Sequence, residues 1–209
     1  MKQKQIKHIV FDWSGVIADT FDNWFIASTK IFEHFGHKKL SIKESRENFT
    51  QPYMVFYNKY MPKLGLKEQQ KVYEKIITKL PPANIFPGMR SEILKFKKAG
   101  VELSILSGDR HQTLFLEMKK YKLKNIFNQI EYNIHDKTKT IKKVISKSDY
   151  NPKETVFIGD TTHEIEAGKK VGCQTCSVTW GFMTKRRLSK TKPTYIVSKP
   201  SLLFKTLIH

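Results

Sequence analysis

Apolar residues along this chain come in two rhythms. Short unbroken runs recur at 8–11, 101–106, 155–158 and 174–178, with a weaker one at 195–197 and a marginal one at 129–132. A short run of this kind, bounded by turn residues, predicts a strand buried on both faces of a parallel sheet. Between the runs the period becomes helical. Met89, Ile93 and Phe96 share one face, and Gly100 sits where a helix-ending glycine belongs. Leu114, Met118 and Tyr121 form the next stripe. Ile141, Val144 and Ile145 precede the Asn151-Pro152 turn, and Ile165 and Val171 precede Gly172. Strands alternating with helices predict an α/β fold with a doubly wound parallel sheet.

The stretch from the first strand to Pro87-Gly88 has a different texture and carries no strand signal. Trp24, Ser28, Ile31, Phe32 and Phe35 keep a helical stripe, and Ser41 with Glu44 reads as a capping box. Tyr53–Tyr60 is rich in aromatics, Val72, Tyr73, Ile76, Ile77 and Leu80 form another stripe, and Pro81-Pro82 closes the segment. The expected organisation is a small all-helical cap domain at 20–83, inserted into an α/β core domain made of 1–19 and 84–209.

Composition narrows the partners. A chain of 209 residues can bury a real core. Its formal charge of +19 raises a nucleic-acid reading, but only five of the 38 basic residues are Arg, the side chain that pairs with bases and phosphates two-pronged. The Lys residues are scattered over helix faces, and the one dense cluster, Lys185-Arg186-Arg187, is short. The expectation is a solvated, Lys-rich surface with no specific nucleic-acid partner, on a monomer or homodimer. No run approaches the ~18 apolar residues of a membrane span. The basic N-terminal stretch meets Asp12 too soon to serve as a secretory signal. A cytoplasmic location with no membrane partner is therefore expected. Cys173 and Cys176 form a lone CxxC that enters a strand. They are expected to be core residues, since one pair cannot make a structural zinc site and a redox pair would sit at a helix N-terminus.

Ligands of an open parallel sheet bind beyond the carboxyl ends of its strands, so the residues just past each strand are the first candidates for a site. Asp12-Trp13-Ser14-Gly15 comes after the first, Ser107-Gly108-Asp109 after the second, and Gly159-Asp160 through Glu164 after the third strong run. Singly, each residue has a plainer role: Asp12 as a turn residue, Ser107 as a helix N-cap, Lys137 as a surface charge. Converging on one crevice, they suit phosphoryl transfer. A carboxylate can attack phosphorus and split one hard displacement into two easier ones. Attack of one anion on another needs a hard cation held by oxygen ligands, for which magnesium fits. It also needs fixed donors for the transferring oxygens.

These residues, in this order, resemble the haloacid dehalogenase (HAD) superfamily. Asp12-Trp-Ser-Gly-Val looks like its first motif, Ser107 its second, and Gly159-Asp160 through Glu164 its fourth. Pro87-Gly88, Trp180-Gly181 and the inserted helices are similar to the phosphoglycolate-phosphatase-like branch. The resemblance implies a hydrolase acting on a small phosphorylated metabolite. It makes Asp12 the nucleophile and a magnesium ligand, with Ser14 offering its backbone carbonyl to the metal. Ser107 and the Gly108 N–H would hold phosphoryl oxygens. Asp160 would bind magnesium, with Glu164 supporting it directly or through water. The third-motif lysine is Lys137, with Lys139 as its rival. His111 and His163 are expected to be local hydrogen-bonding residues, and Arg110, Trp24 or Tyr53 are candidates for touching substrate.

One position departs from the pattern. Phosphatases of the superfamily usually carry a second Asp two residues after the nucleophile, where this chain has Ser14, and Glu164 replaces the usual Asp. A hydroxyl is a poor general acid, and general acid–base help is worth ~10²–10⁴-fold. Three readings are open: a phosphatase whose substrate has a good leaving group, such as an acyl phosphate or anhydride; a relative of phosphonoacetaldehyde hydrolase, whose first motif is similar; or a phosphate-binding module that turns over poorly.

Overall fold

The computed structural model describes residues 5–134 and 136–208. Part of the basic N-terminal stretch, residues 1–4, lies outside them. In chain order the elements are β1 (His8–Phe11), β2 (Ala18–Asp19), α1 (Phe21–His34), α2 (Ile42–Asn48), α3 (Tyr53–Tyr60), α4 (Leu66–Ile77), β3 (Asn84–Ile85), α5 (Met89–Lys98) and β4 (Glu102–Leu106). They continue with α6 (His111–Lys120), β5 (Gln129–Glu131), α7 (Lys137–Ser146), β6 (Thr155–Gly159), α8 (Thr162–Lys170), β7 (Gln174–Val178), α9 (Lys185–Lys190), β8 (Tyr195–Val197) and α10 (Leu203–Ile208).

Six strands form one sheet in the order β5-β4-β1-β6-β7-β8, all parallel. The four residues of β1 are fully buried because neighbours bond both edges and apolar layers cover both faces. Ile9 and Phe11 face a layer that includes Met89, Ile93, Phe96, Leu114 and Met118. Val10, between them in sequence, faces Ile141, Val144, Ile145 and Ala167 on the other side. Period-two alternation along a strand thus assigns α5 and α6 to one face and α7 and α8 to the other. The doubly wound α/β fold expected from the alternation is the observed one. β1 sits where the winding reverses, with β4 on one side and β6 on the other.

The expectation of no strand before Pro87-Gly88 is corrected. β2 and β3 pair antiparallel, Ala18 with Ile85 and Asp19 with Asn84. Two residues are too few to show a period, so nothing in the pattern announces them. Between them lie the four helices α1–α4, and the Ser41–Glu44 capping box is present. Their aromatic cluster does not close on itself. Phe182, Met183 and Leu188, from the segment after β7, belong to it, and the Phe182 ring lies 4.7 Å from Phe49 and 5.3 Å from Phe21.

Cys173 and Cys176 are buried and free. Burial pushes the Cys173 thiol up to about 12 and Cys176 upward as well, which leaves both inert.

One buried polar residue in β1 makes the fold pH-sensitive. His8 is fully buried, with Nε2 2.9 Å from Ser104 Oγ and Nδ1 3.3 Å from Thr155 Oγ1. Burial pushes its pKa down to about 4. The folded state therefore binds fewer protons than the unfolded one between about 4 and the ordinary histidine value. Stability from this site is present above ~6.5 and is lost as pH falls toward 4, a change of roughly 3 kcal/mol in full. Urea denaturation of wild type should show that loss on acidification, and His8→Gln should remove it. An identical pH dependence in the variant would contradict the assignment.

Candidate active site

The three central strands deliver their loops to one edge of the sheet. Asp12 follows β1, Ser107 follows β4 and Asp160 follows β6, and these strands are adjacent. Asp12 is locked by its N–H to the Ile158 carbonyl at 2.9 Å, and its Oδ1 accepts from the Trp13 N–H at 2.8 Å. The chain then turns sharply. The Trp13 carbonyl accepts from the N–H groups of Val16, Ile17 and Ala18, with Gly15 at φ 78°. A side chain at Gly15 would be strained at that φ and would run into the Asp160 carboxylate. Gly159 plays a similar part, since a Cβ there would meet the Glu164 side chain.

Lys137 joins the carboxylates. Its Nζ lies 2.8 Å from Asp12 Oδ2 and 2.7 Å from Glu164 Oε1, and all three side chains are buried. It is the first residue of α7, where Asp136 accepts the Lys139 N–H as N-cap, so Lys137 turns inward while Lys139 is exposed. Glu164 Oε2 accepts from the Thr161 N–H at 2.9 Å and from its hydroxyl, forming the capping box of α8. Asp160 Oδ2 accepts from the Phe182 N–H at 2.7 Å, whereas its Oδ1 is buried with no hydrogen-bond partner.

Asp12, Asp160 and Glu164 each offer an oxygen, and these atoms lie within 4.8 Å of one another. Their electrostatics are those of a site short of positive charge. Burial pushes Asp12 up to about 7, against the pull of Lys137. Burial, with Glu164 and Asp12 nearby, pushes Asp160 well above the ordinary carboxylate range. Burial also works against charge on Glu164, but Lys137 and Thr161 hold it below its ordinary value. It works against Lys137 likewise, but Asp12 and Glu164 outweigh it and hold the ammonium above its usual range. An all-oxygen donor set with an orphaned buried carboxylate oxygen fits a hard divalent cation.

Ser107 is not the helix cap it could have been. α6 begins at His111 with Arg110 as its N-cap residue. Ser107 is fully buried, and its hydroxyl donates to Asp109 Oδ2 at 2.9 Å while accepting the Asp109 N–H at 3.0 Å. Gly108 is exposed at the same turn. The Ser14 hydroxyl also reaches Asp109 Oδ2, at 2.7 Å. Asp109 has no role in the motifs, although it stands among the strand-end residues.

His111 stacks on Phe115 at 4.3 Å and His163 Nδ1 is buried, and among the described residues neither ring makes the local hydrogen bond expected of it. Trp24 is buried in the aromatic cluster of the helices rather than facing the carboxylates. Arg110 pairs with Glu74 of α4, and Arg46 of α2 donates to the Gly181 carbonyl, so the helices rest on the loops after β4 and β7.

A doubly wound sheet with an acid cluster and a lysine at its carboxyl edge is the framework of an α/β enzyme. Residues 9–178 match the family described as haloacid dehalogenase-like hydrolase, and the chain belongs to that family. It is 21% identical over 203 residues to the phosphoglycolate phosphatase of Synechococcus elongatus, covering 95% of this chain and 96% of that one. It is 23% identical over 217 residues to the pyrophosphatase PpaX of Bacillus thuringiensis strain Al Hakam, covering 97% of each. A haloacid dehalogenase-like family hydrolase from Streptococcus pneumoniae shares its fold, with a TM-score of 0.83 and 21% identity over 96% of this chain and 98% of that one. Among the described residues no helix is long and apolar enough to cross a membrane.

Proposed function

We propose that the chain is a magnesium-dependent phosphatase that acts on a small phosphorylated metabolite through a phosphoryl-enzyme on Asp12. The observation that supports this most is Lys137 bridging Asp12 and Glu164 beside the unpartnered Asp160 oxygen. Asp12 attacks phosphorus with one carboxylate oxygen while the leaving oxygen departs in line. The Ser107 hydroxyl and the Gly108 N–H hold the phosphoryl oxygens, and the Lys137 ammonium offsets their charge. Asp12, Asp160 and the Ser14 carbonyl would hold magnesium, with Glu164 in support directly or through water. When bound, the cation cancels the repulsion between the carboxylates and the incoming phosphate. Residues 20–83 serve as the cap over a core of 1–19 and 84–209, and the cap sets which substrate fits.

Relatives named for phosphoglycolate and for pyrophosphate support a small phosphorylated substrate, either a monoester or a compound with an activated phosphate. The +19 charge draws such anions to the site without a specific nucleic-acid partner. The test is a screen of phosphate monoesters, acyl phosphates, pyrophosphate and phosphonoacetaldehyde, with magnesium or with a chelator. Magnesium-dependent phosphate release from a phosphate ester or activated phosphate is expected. Turnover of phosphonoacetaldehyde alone, or turnover unaffected by the chelator, would refute the reading.

A further inference from the structure

Cleavage of an alkyl phosphate leaves an alkoxide that needs a proton, and the carboxylates beside Asp12 are already committed. Glu164 accepts from Lys137 and Thr161, and Asp160 accepts from the Phe182 N–H while its other oxygen is the one assigned to the cation. Glu117 is buried and takes the Trp13 indole N–H at 2.6 Å. His111 is stacked on Phe115, and His163 lies on the Glu164 side, 4.0 Å from its Oε1. Asp109, just past β4, is the carboxylate that meets the Ser14 hydroxyl.

We infer that Asp109 is the proton carrier of this site, giving a proton to the leaving oxygen and taking one from the water that attacks next; this rests on the phosphatase reading. Two hydroxyls from different loops, Ser14 after β1 and Ser107 after β4, converge on its Oδ2 at 2.7 and 2.9 Å. No hydrogen bond reaches its Oδ1 among the described residues. One oxygen is thus pinned and the other is left open on a half-buried side chain. The loop itself is fixed, because the Asp109 carbonyl accepts from the Asn133 N–H at 2.8 Å and the Ser107 carbonyl from the Ile134 N–H at 3.0 Å. Asp109 also lies at the seam with the helices. Its neighbour Arg110 pairs with Glu74 of α4. A leaving group displaced away from Asp12 has to be housed under those helices.

The geometry at Ser14 supplies the rest. A serine Oγ occupies nearly the place of an aspartate Cγ, and the Asp109 carboxylate stands 2.7 Å from Ser14 Oγ. The steps balance. Asp12 bonds to phosphorus as the P–O bond to the leaving oxygen breaks, and the electron pair left on that oxygen takes the Asp109 proton. Water then bonds to phosphorus and gives its proton to the Asp109 carboxylate. The acyl P–O bond breaks, and its electron pair returns to Asp12.

The test compares kcat/KM for a panel of small alkyl monoesters, including 2-phosphoglycolate, with that for acetyl phosphate, whose leaving group departs without a proton. This parameter ends at the first irreversible step, so it reads the leaving-group proton alone. Asp109→Asn should lower it ~10²–10⁴-fold for the alkyl esters and less than roughly tenfold for acetyl phosphate. Asp109→Ser, which puts no amide donor against the two hydroxyls, should give the same split. Adding Ser14→Asp to Asp109→Asn should restore part of the alkyl-ester activity, by a larger factor than any change it makes on acetyl phosphate. Equal losses on both substrate classes would make Asp109 a positioning residue and overturn the inference. So would no loss, or a wild type that cleaves acetyl phosphate and none of the alkyl esters. A wild type that cleaves neither class would overturn the phosphatase reading itself.

Discussion

Asp12→Asn should reduce turnover on the order of 10⁴-fold or more while the protein stays folded, the scale seen when an enzyme loses its nucleophile. The amide keeps the shape of the carboxylate but cannot attack phosphorus. The fold should survive because the substitution removes the charge of one of three clustered buried carboxylates, two of which share the Lys137 ammonium. Lys137 keeps its bond to Glu164 at 2.7 Å, and the amide oxygen can still accept from it. Melting within a few degrees of wild type, with turnover gone, is the expected pair of results. Retained turnover with normal metal dependence would remove Asp12 from the chemistry.

Magnesium should raise the melting temperature of wild type and not that of Asp160→Ala. A cation that binds only the folded protein stabilises it by mass action, about 2.7 kcal/mol at a hundredfold excess over Kd. For a chain of this size that corresponds to roughly 5–10 °C. Asp160 brings the unpartnered oxygen, and burial with its acidic neighbours pushes it well above the ordinary carboxylate range. Without metal, Asp160→Ala should melt no lower than wild type by more than the loss of one hydrogen bond from the Phe182 N–H. Equal magnesium shifts in both proteins would place the cation elsewhere.

Much of this arrangement can be read from the sequence, because buried parallel strands declare themselves as unbroken apolar runs. Once β1, β4 and β6 are recognised, Asp12, Ser107 and Asp160 stand out as the residues just beyond them. Spacing favours Lys137 over Lys139, since Lys137 stands four residues before Ile141, just ahead of the helix. In the first turn of α7 Asp136 caps the Lys139 N–H, and it is Lys137 whose ammonium meets Asp12 and Glu164. The β2–β3 pair is invisible because two residues carry no period. The aromatic link from the helices to Phe182 joins segments more than a hundred residues apart, which no local pattern reports. Asp109 shows a different limit. The sequence presents Ser14 as a missing acid, and only the folded chain brings a carboxylate from another loop to its hydroxyl.

The central claim is that the phosphoryl group rests on Asp12 between two displacements. Rapid acid quench during turnover of the substrate found in the screen, followed by peptide mass analysis, tests it most directly. One added phosphoryl group is expected on the peptide containing Asp12, removed by hydroxylamine and absent from Asp12→Asn. A phosphoryl group trapped on any other residue would contradict it.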